Sequence, residues 1–280
     1  QSVLFREEGE GKDAEVFLDP NSFSKDGTTS LSGISFSKDG SMVAYNISQG
    51  GSDWQKLVVM NAATKQQTGD TLDIKFSGAS WKGNDGFFYS TYEKKGATVL
   101  SGVTSNQKMY FHKLGTPQSE DKLIFGSDTK PTRYIGGGVS EDEKWLYIYA
   151  SNETYGNALY AIDLTKPGSA PITIIDDMKS NVSVIDNDDR FFYIQTDRDA
   201  PTGKVVTAPI GSPTPANWKT IIEAKPEVLS ASTGGGYLFC SYLKDAITKV
   251  SQFDMTGKLI RDIELPGIGT ASGFGAKKEE

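Results

Sequence analysis

Short apolar runs, each preceded by turn residues, recur along this chain. β-branched and aromatic residues suit a pleated strand, whereas Asp, Asn and Gly suit a tight turn. From Gly40 onward the turn residues of five such units are separated by 46, 57, 46 and 47 positions. The five units are Asp39-Gly40 before Met42–Tyr45, Asn84-Asp85-Gly86 before Phe87–Tyr89, Glu141-Asp142-Glu143 before Trp145–Ile148, Asn187-Asp188-Asp189 before Phe191–Ile194, and Gly234-Gly235-Gly236 before Tyr237–Phe239.

Most units continue with two more apolar runs, which predict a second and a third strand after the turn. The second strands are predicted at Lys108–Phe111, Ala158–Asp163 and Lys249–Asp254, and the third strands at Lys122–Phe125, Ile172–Ile175 and Lys219–Ile222. With the strand that leads into the turn, each unit holds four short antiparallel strands. Four strands repeated at a period of this length are typical of a β-propeller, in which stacked blades cover each other's apolar faces. A pair of β-sandwiches is the competing architecture, but it does not require a constant spacing.

The two ends of the chain predict incomplete blades. Ser2–Phe5 and Glu15–Leu18 are interpreted as the last strands of a blade that starts before Gln1, and Ile268–Phe274 as the first strand of a blade that is cut off. We therefore predict an all-β fold, a seven-bladed β-propeller of four-stranded antiparallel blades whose first and last blades are incomplete here. Residues 1–280 would form one propeller domain excised from a larger chain.

The string F-S-K-D-G occurs twice, at residues 23–27 and 36–40. Only the second copy precedes a predicted strand. The first copy is followed by Thr28-Thr29-Ser30, which we interpret as a connection between blades rather than as a strand.

Composition narrows the classes of partner. The 280 residues carry a net charge of −7, which argues against a nucleic-acid partner, because nucleic-acid binders cluster Lys and Arg. No apolar run approaches the roughly 20 residues of a membrane helix. We expect no nucleic-acid and no membrane partner.

Candidate catalytic chemistry is sparse. The single histidine, His112, cannot supply a multi-histidine metal site and is predicted to be a structural strand residue. Cys240 lies in the apolar run YLFCSYL and is predicted to be a small core residue. No G-x-S-x-G nucleophile elbow occurs. We expect no catalytic triad, metal or cofactor in these residues.

Several strings carry more specific information than the period does. They are V-F-L-D-P-N at 16–21, F-S-K-D-G at 36–40, G-S-D-W at 51–54, H-K-L-G-T-P-Q-S-E-D at 112–121 and Y-L-K-D-A at 242–246. In this order, and over nearly the whole chain, they resemble the non-catalytic propeller of the prolyl oligopeptidase family. The resemblance implies a serine endopeptidase that cleaves short peptides on the carboxyl side of proline. The propeller of such an enzyme caps an α/β-hydrolase domain and filters substrates by size.

The resemblance also implies roles for four residues. Phe76 stands where the family places an aromatic residue of the S3 pocket, and Ile135 where an apolar residue lines the same side. Thr154 falls near a further substrate-facing position, and Asp53 matches an Asp that contacts a substrate-binding loop of the hydrolase domain. Two alternatives stay open, because Phe76 could be a core residue of its strand and Asp53 could cap a turn.

The Ser, Asp and His of the triad would then lie outside this chain, so this piece should be inactive alone. The expected partners are short proline-containing peptides and the hydrolase domain of the same polypeptide, with a monomer as the assembly. A cytoplasmic and a periplasmic location both stay open.

The alternative function is a stand-alone propeller that serves as a protein-interaction scaffold, although the Gly-His and Trp-Asp dipeptides of WD repeats do not recur. A sialidase-like propeller would need repeated Ser-x-Asp-x-Gly boxes and an arginine cluster, and neither is visible.

Overall fold

The computed structural model describes residues 1–7, 9–92 and 105–279, and nearly all regular structure in them is β-strand. These strands form five four-stranded antiparallel sheets and one two-stranded sheet. Three single-turn 3-10 helices complete the regular structure of the described residues, at Pro20–Ser22, Gln118–Glu120 and Pro215–Asn217. No helix in this part of the chain is both long and apolar enough to cross a membrane. The prediction of an all-β fold is confirmed.

Two compact units divide the chain, residues 1–139 and 140–280. The first unit begins with a two-stranded sheet of Leu4–Arg6 (β1) and Glu15–Leu18 (β2), which pair antiparallel close to the positions predicted.

The first four-stranded sheet has the strand order β3-β4-β5-β6. Its strands are Thr29–Phe36 (β3), Met42–Gln49 (β4), Trp54–Asn61 (β5) and Gln67–Lys75 (β6). The interpretation of Thr28-Thr29-Ser30 as a link without a strand was wrong, because β3 begins at Thr29.

The second sheet has the order β7-β8-β9-β10, again with neighbours in sequence paired. Its strands are Ser80–Lys82 (β7), Gly86–Thr91 (β8), Lys108–Lys113 (β9) and Lys122–Phe125 (β10).

The remaining three sheets repeat this up-and-down order. The third sheet consists of Tyr134–Val139 (β11), Trp145–Ser151 (β12), Ala158–Asp163 (β13) and Ile172–Ile175 (β14). The fourth consists of Val182–Asn187 (β15), Phe191–Thr196 (β16), Lys204–Pro209 (β17) and Lys219–Ile222 (β18). The fifth consists of Leu229–Gly234 (β19), Tyr237–Lys244 (β20), Ile247–Asp254 (β21) and Leu259–Ile263 (β22).

The repeated turn has a local hydrogen-bonding cause. In the second F-S-K-D-G copy, the Asp39 carboxylate accepts the Ser41 N–H at 2.9 Å, and the Ser37 hydroxyl accepts the Met42 N–H at 3.0 Å. In the first copy, Asp26 accepts the Thr28 N–H at 3.1 Å, and the Ser24 hydroxyl accepts the N–H of the first residue of β3 at 3.2 Å. Both copies therefore start a strand in the same way, since Ser and Asp side chains satisfy the backbone before the ladder begins.

The strands bury both faces. Along β4 of the first unit, Val43 and Tyr45 enter one apolar cluster while Ala44 enters another. In the second unit, the adjacent residues Val205 and Val206 of β17 likewise belong to two different clusters. Because side chains alternate across a strand, one sheet can pack against a neighbour on each side. This two-sided burial is what stacked propeller blades require.

One predicted strand is absent. Ile268–Phe274 was predicted to be the first strand of a blade, but these residues form no regular structure. Gly273 has φ of +89°, in the region that favours glycine and lies outside the β region. The segment is held instead by bonds such as Thr248 N–H to the Gly269 carbonyl at 2.9 Å.

Candidate functional site

Phe76 lies immediately after the last residue of β6 and presents its ring to solvent. The residue is 52% exposed, and its φ of +54° falls in the left-handed region that non-glycine residues rarely adopt. A conformation of this kind persists only when its surroundings enforce it, and such residues cluster at functional sites. The structure therefore places Phe76 at the surface, and the alternative of a core residue does not fit.

Hydrogen bonds to Ser77, the residue after Phe76, hold the change of chain direction at this positive-φ residue. The Asn46 side-chain amide donates to the Ser77 carbonyl at 3.0 Å, and the Ser77 hydroxyl accepts the Ser90 N–H at 2.8 Å. These bonds come from β4 of the same sheet and from β8 of the second sheet, so the two sheets together fix the direction in which Phe76 leaves β6.

Two tyrosines accompany Phe76. The Tyr92 ring meets it edge-on with the centroids 6.4 Å apart, and this tyrosine is buried. Burial and the nearby Tyr134 phenol raise the pKa of Tyr92 to about 12. Tyr134 itself is half exposed. An exposed aromatic surface over a buried aromatic base is suited to binding apolar or aromatic peptide side chains.

Ile135 follows Tyr134 in β11 but is only 4% exposed. Alternation along the strand turns the Tyr134 side chain outward and the Ile135 side chain inward. The residue that offers surface at this position is therefore Tyr134, whereas the Ile135 side chain lies in the interior.

A buried glutamine, Gln107, links the two segments. Its side-chain amide donates to the Lys75 carbonyl at 3.4 Å, and its side-chain oxygen accepts the Ile135 N–H at 2.7 Å. The backbones that carry Phe76 and Ile135 are thus tied through one amide group. Sequence reasoning missed Gln107, since a lone glutamine before a strand carries no pattern that would single it out.

Asp53 lies exposed in the turn before β5. Its carboxylate is 3.8 Å from the Lys75 ammonium, and the Ser52 hydroxyl accepts the Trp54 N–H at 3.1 Å. The turn-capping bond at this position is therefore supplied by Ser52 rather than by Asp53. The Asp53 side chain, 60% exposed, is accessible to a partner.

Thr154 belongs to the second unit. It is exposed in the loop between β12 and β13, beside the exposed Tyr155. This loop offers polar and aromatic surface to solvent.

His112 occupies a closed buried cluster rather than a cleft. The ring is 1% exposed, with Nδ1 2.8 Å from Asp121 Oδ1 and Nε2 3.2 Å from Asp70 Oδ1. Burial alone would lower the pKa of His112, but the two carboxylates outweigh it and raise the pKa above its usual value. No serine nucleophile appears among these partners. The prediction of a structural residue is confirmed.

The carboxylates of this cluster have further partners. Asp70 accepts the Gly115 N–H at 2.6 Å and the Thr68 hydroxyl at 2.5 Å, and the Tyr89 hydroxyl donates to Asp121 at 2.7 Å. Burial would raise the pKa of Asp70, but its hydrogen bonds and His112 hold the pKa below the usual value. The cluster joins β6 of the first sheet to β9 of the second.

Other candidate chemistry is limited. Cys240 is buried and unpaired, and burial raises its pKa to about 11, so the thiol stays protonated at neutral pH and is not an activated nucleophile. In the described residues no group of three His, Cys, Asp or Glu side chains is arranged to hold a metal ion.

The sequence matches a family model over its whole length. The model described as "Prolyl oligopeptidase, N-terminal beta-propeller domain" covers residues 1–280. Over 282 residues the chain is 53% identical to the prolyl endopeptidase of Elizabethkingia meningoseptica and 51% identical to that of Elizabethkingia miricola. Each alignment covers 100% of this chain and 40% of the relative, so the chain spans 40% of the length of these relatives.

Solved structures agree. A prolyl endopeptidase studied for inter-domain dynamics in catalysis and specificity has a TM-score of 0.86 at 32% identity, with 96% of this chain and 38% of that chain covered. Prolyl oligopeptidase B from Galerina marginata, bound to a 25mer macrocyclization substrate, has a TM-score of 0.89 at 25% identity, with 100% of this chain and 42% of that chain covered.

Proposed function

This chain belongs to the prolyl oligopeptidase family of serine peptidases, as an amino-terminal β-propeller domain, and we propose that it is the substrate-gating domain of an endopeptidase that cleaves short peptides after proline. The catalytic Ser, Asp and His belong to an α/β-hydrolase domain elsewhere in the same polypeptide. The complete propeller has seven blades, and residues 1–280 alone have no peptidase activity.

Phe76 is the observation that carries this proposal for the site. An aromatic side chain held outward in a rare backbone conformation, with only an edge-on contact to the buried Tyr92 ring, has no core to fill. Its role is to bind the side chain of the third substrate residue before the cleaved bond. Ile135 and Thr154 also contribute to substrate binding, and Asp53 contacts the hydrolase domain.

Gating follows from the physical properties of stacked sheets. A propeller domain whose strands are buried on both faces is too rigid to let a folded protein pass. A short extended peptide can enter when the propeller and hydrolase domains open. Closure then excludes water from the reacting groups. The two relatives named prolyl endopeptidases, at 51% and 53% identity, support the specificity for proline.

The test uses the full-length peptidase that contains this chain. Phe76→Ala should raise KM for a chromogenic Phe-Gly-Pro substrate by about tenfold or more, because the substrate loses an aromatic contact that its binding would bury, and should leave KM for Gly-Pro nearly unchanged. Equal changes for both substrates would remove Phe76 from the site.

Cleavage rates for a proline-containing octapeptide and for the same sequence inside a folded protein test the gating role. Equal rates for these two would contradict it.

A further inference from the structure

Lys75, the last residue of β6, has an unusual environment for a lysine. Its side chain is only 9% exposed, although lysine is almost never buried without a partner. In the strand register Lys75 lies opposite Trp54 of β5, so the two side chains share one face of the first sheet.

Three groups surround the ammonium. Nζ lies 5.2 Å from the centroid of the Phe76 ring, 5.8 Å from that of Trp54 and 3.8 Å from the Asp53 carboxylate. Two aromatic rings at these distances attract a cation through their quadrupoles, and the attraction grows when the cation is shielded from water. The contact with Asp53 is too long for a hydrogen bond, and Asp53 itself is largely solvated.

We propose that Lys75 is a positioning residue that holds the Phe76 ring in its substrate-facing orientation and couples that orientation to Asp53. This inference rests on the proposed function of Phe76 and Asp53. The backbone at Phe76 directs the side chain outward, but it does not fix the rotation of the ring. The ammonium beside the ring and the Tyr92 edge together limit that rotation.

The coupling has a simple electrostatic origin. While Asp53 lies near Lys75, the ammonium divides its interactions between a carboxylate and two rings. When Asp53 contacts the hydrolase domain, the Lys75 ammonium interacts with the Trp54 and Phe76 rings alone. The Phe76 ring is therefore held more firmly. Because such coupling is reciprocal, a substrate that engages Phe76 also favours the Asp53 contact.

A matched control lies on the same two strands. Lys56 of β5 pairs with Asp73 of β6 at 2.6 Å, but its side chain is half exposed. Lys56→Met removes a charge from the same sheet and leaves the Phe76 ring contact in place.

The experiment measures KM and kcat of the full-length peptidase for Phe-Gly-Pro and Gly-Pro chromogenic substrates. Lys75→Met should raise the ratio of KM for Phe-Gly-Pro to KM for Gly-Pro about threefold to tenfold, the range of a partly shielded cation–π contact, with kcat little changed. Lys75→Arg should retain the ratio, because the guanidinium keeps the charge. Lys56→Met should leave both substrates unaffected.

A second comparison tests the coupling. Asp53→Asn should change the same ratio in the presence of Lys75 and should have no effect in the Lys75→Met background. Additive effects of the two substitutions would overturn the coupling. Equal losses for both substrates in Lys75→Met, together with a lowered Tm, would mean that Lys75 is only structural and would overturn the inference.

Phe76→Ala separates this inference from the proposed function. If Phe76→Ala alters the ratio and Lys75→Met does not, the inference about Lys75 is wrong while the Phe76 site stands. If Phe76→Ala leaves the ratio unchanged, the proposed site itself fails.

Discussion

Strand β6 carries two polar environments of opposite character. Asp70, near its start, lies in a closed cluster with His112 and Asp121, in which each carboxylate has further hydrogen-bond donors. Lys75 and Phe76, at its end, form an open cluster in which a strained residue keeps its ring half exposed. The same strand thus supplies a buried polar cluster and leads into the exposed residue that we propose binds substrate.

The difference shows how stability and binding are divided along one strand. A buried polar cluster is favourable only when its members are satisfied, and then it specifies one packing of the two sheets. A residue that binds substrate must keep part of its side chain exposed. A backbone conformation that holds a side chain outward in this way costs free energy, which the surrounding structure has to offset. We expect substitutions in the closed cluster to affect folding and those in the open cluster to affect KM.

The largest effect is expected for His112→Ala in the full-length protein. The substitution leaves the Asp70 and Asp121 carboxylates buried without the group between them, and breaking a buried pair in this way costs about 3–5 kcal/mol. Urea unfolding followed by circular dichroism measures the change. Lys56→Met, which removes an exposed pair, should cost less than about 1 kcal/mol and serves as the control. Similar losses for the two variants would contradict the distinction.

A pH dependence of stability is the next expected effect. The pKa of His112 is raised in the folded state, so its contribution is complete below the unfolded pKa of about 6.5 and is lost as pH rises through the folded pKa. The pKa of Asp70 is lowered, so its contribution is present above about pH 4 and is lost as pH falls through the folded pKa.

The cluster should therefore stabilise the fold most between about pH 4 and pH 6.5. Unfolding free energies at a series of pH values, for the natural protein and for His112→Ala, measure this window. If the difference between the two proteins were the same at pH 5 and pH 9, the protonated state of His112 would play no part.

The smallest effect is expected at Phe76, where backbone and ring can be separated. Phe76→Gly and Phe76→Ala both remove the ring, but only glycine adopts a φ of +54° without steric cost. The Gly variant should be more stable than the Ala variant by about 1 kcal/mol, while both raise KM for Phe-Gly-Pro alike. An Ala variant at least as stable as the Gly variant would show that the kink relaxes when the ring is lost.

Most strands were predictable because their information is local. Ala158–Asp163, Ile172–Ile175 and Lys219–Ile222 occur with the predicted bounds, since their apolar residues alternate or cluster and turn residues flank them. The prediction failed at Ile268–Phe274, where apolar residues are interrupted by glycines, and at Thr29, where a run of small polar residues pairs along β4. Strand propensity is weak there, and long-range pairing decides the outcome.

The candidate site was predictable only in part. The family resemblance identified Phe76, and the string G-S-D-W identified Asp53 within it, but the exposure of Tyr134 in place of Ile135 depends on the register of β11. The contacts of Gln107 and Lys75 join segments that are distant in sequence, and no local pattern announces them.

The amino-acid sequence by itself determined the all-β class, the turns and most of the strands, because short apolar runs of β-branched and aromatic residues and the Asp or Ser turn bonds before them act over a few residues. Only the tertiary structure decided that His112 lies between two carboxylates and that the Lys75 ammonium lies beside the Phe76 ring. Those arrangements depend on how neighbouring sheets and strands pack, and packing is a property of residues brought together from across the chain.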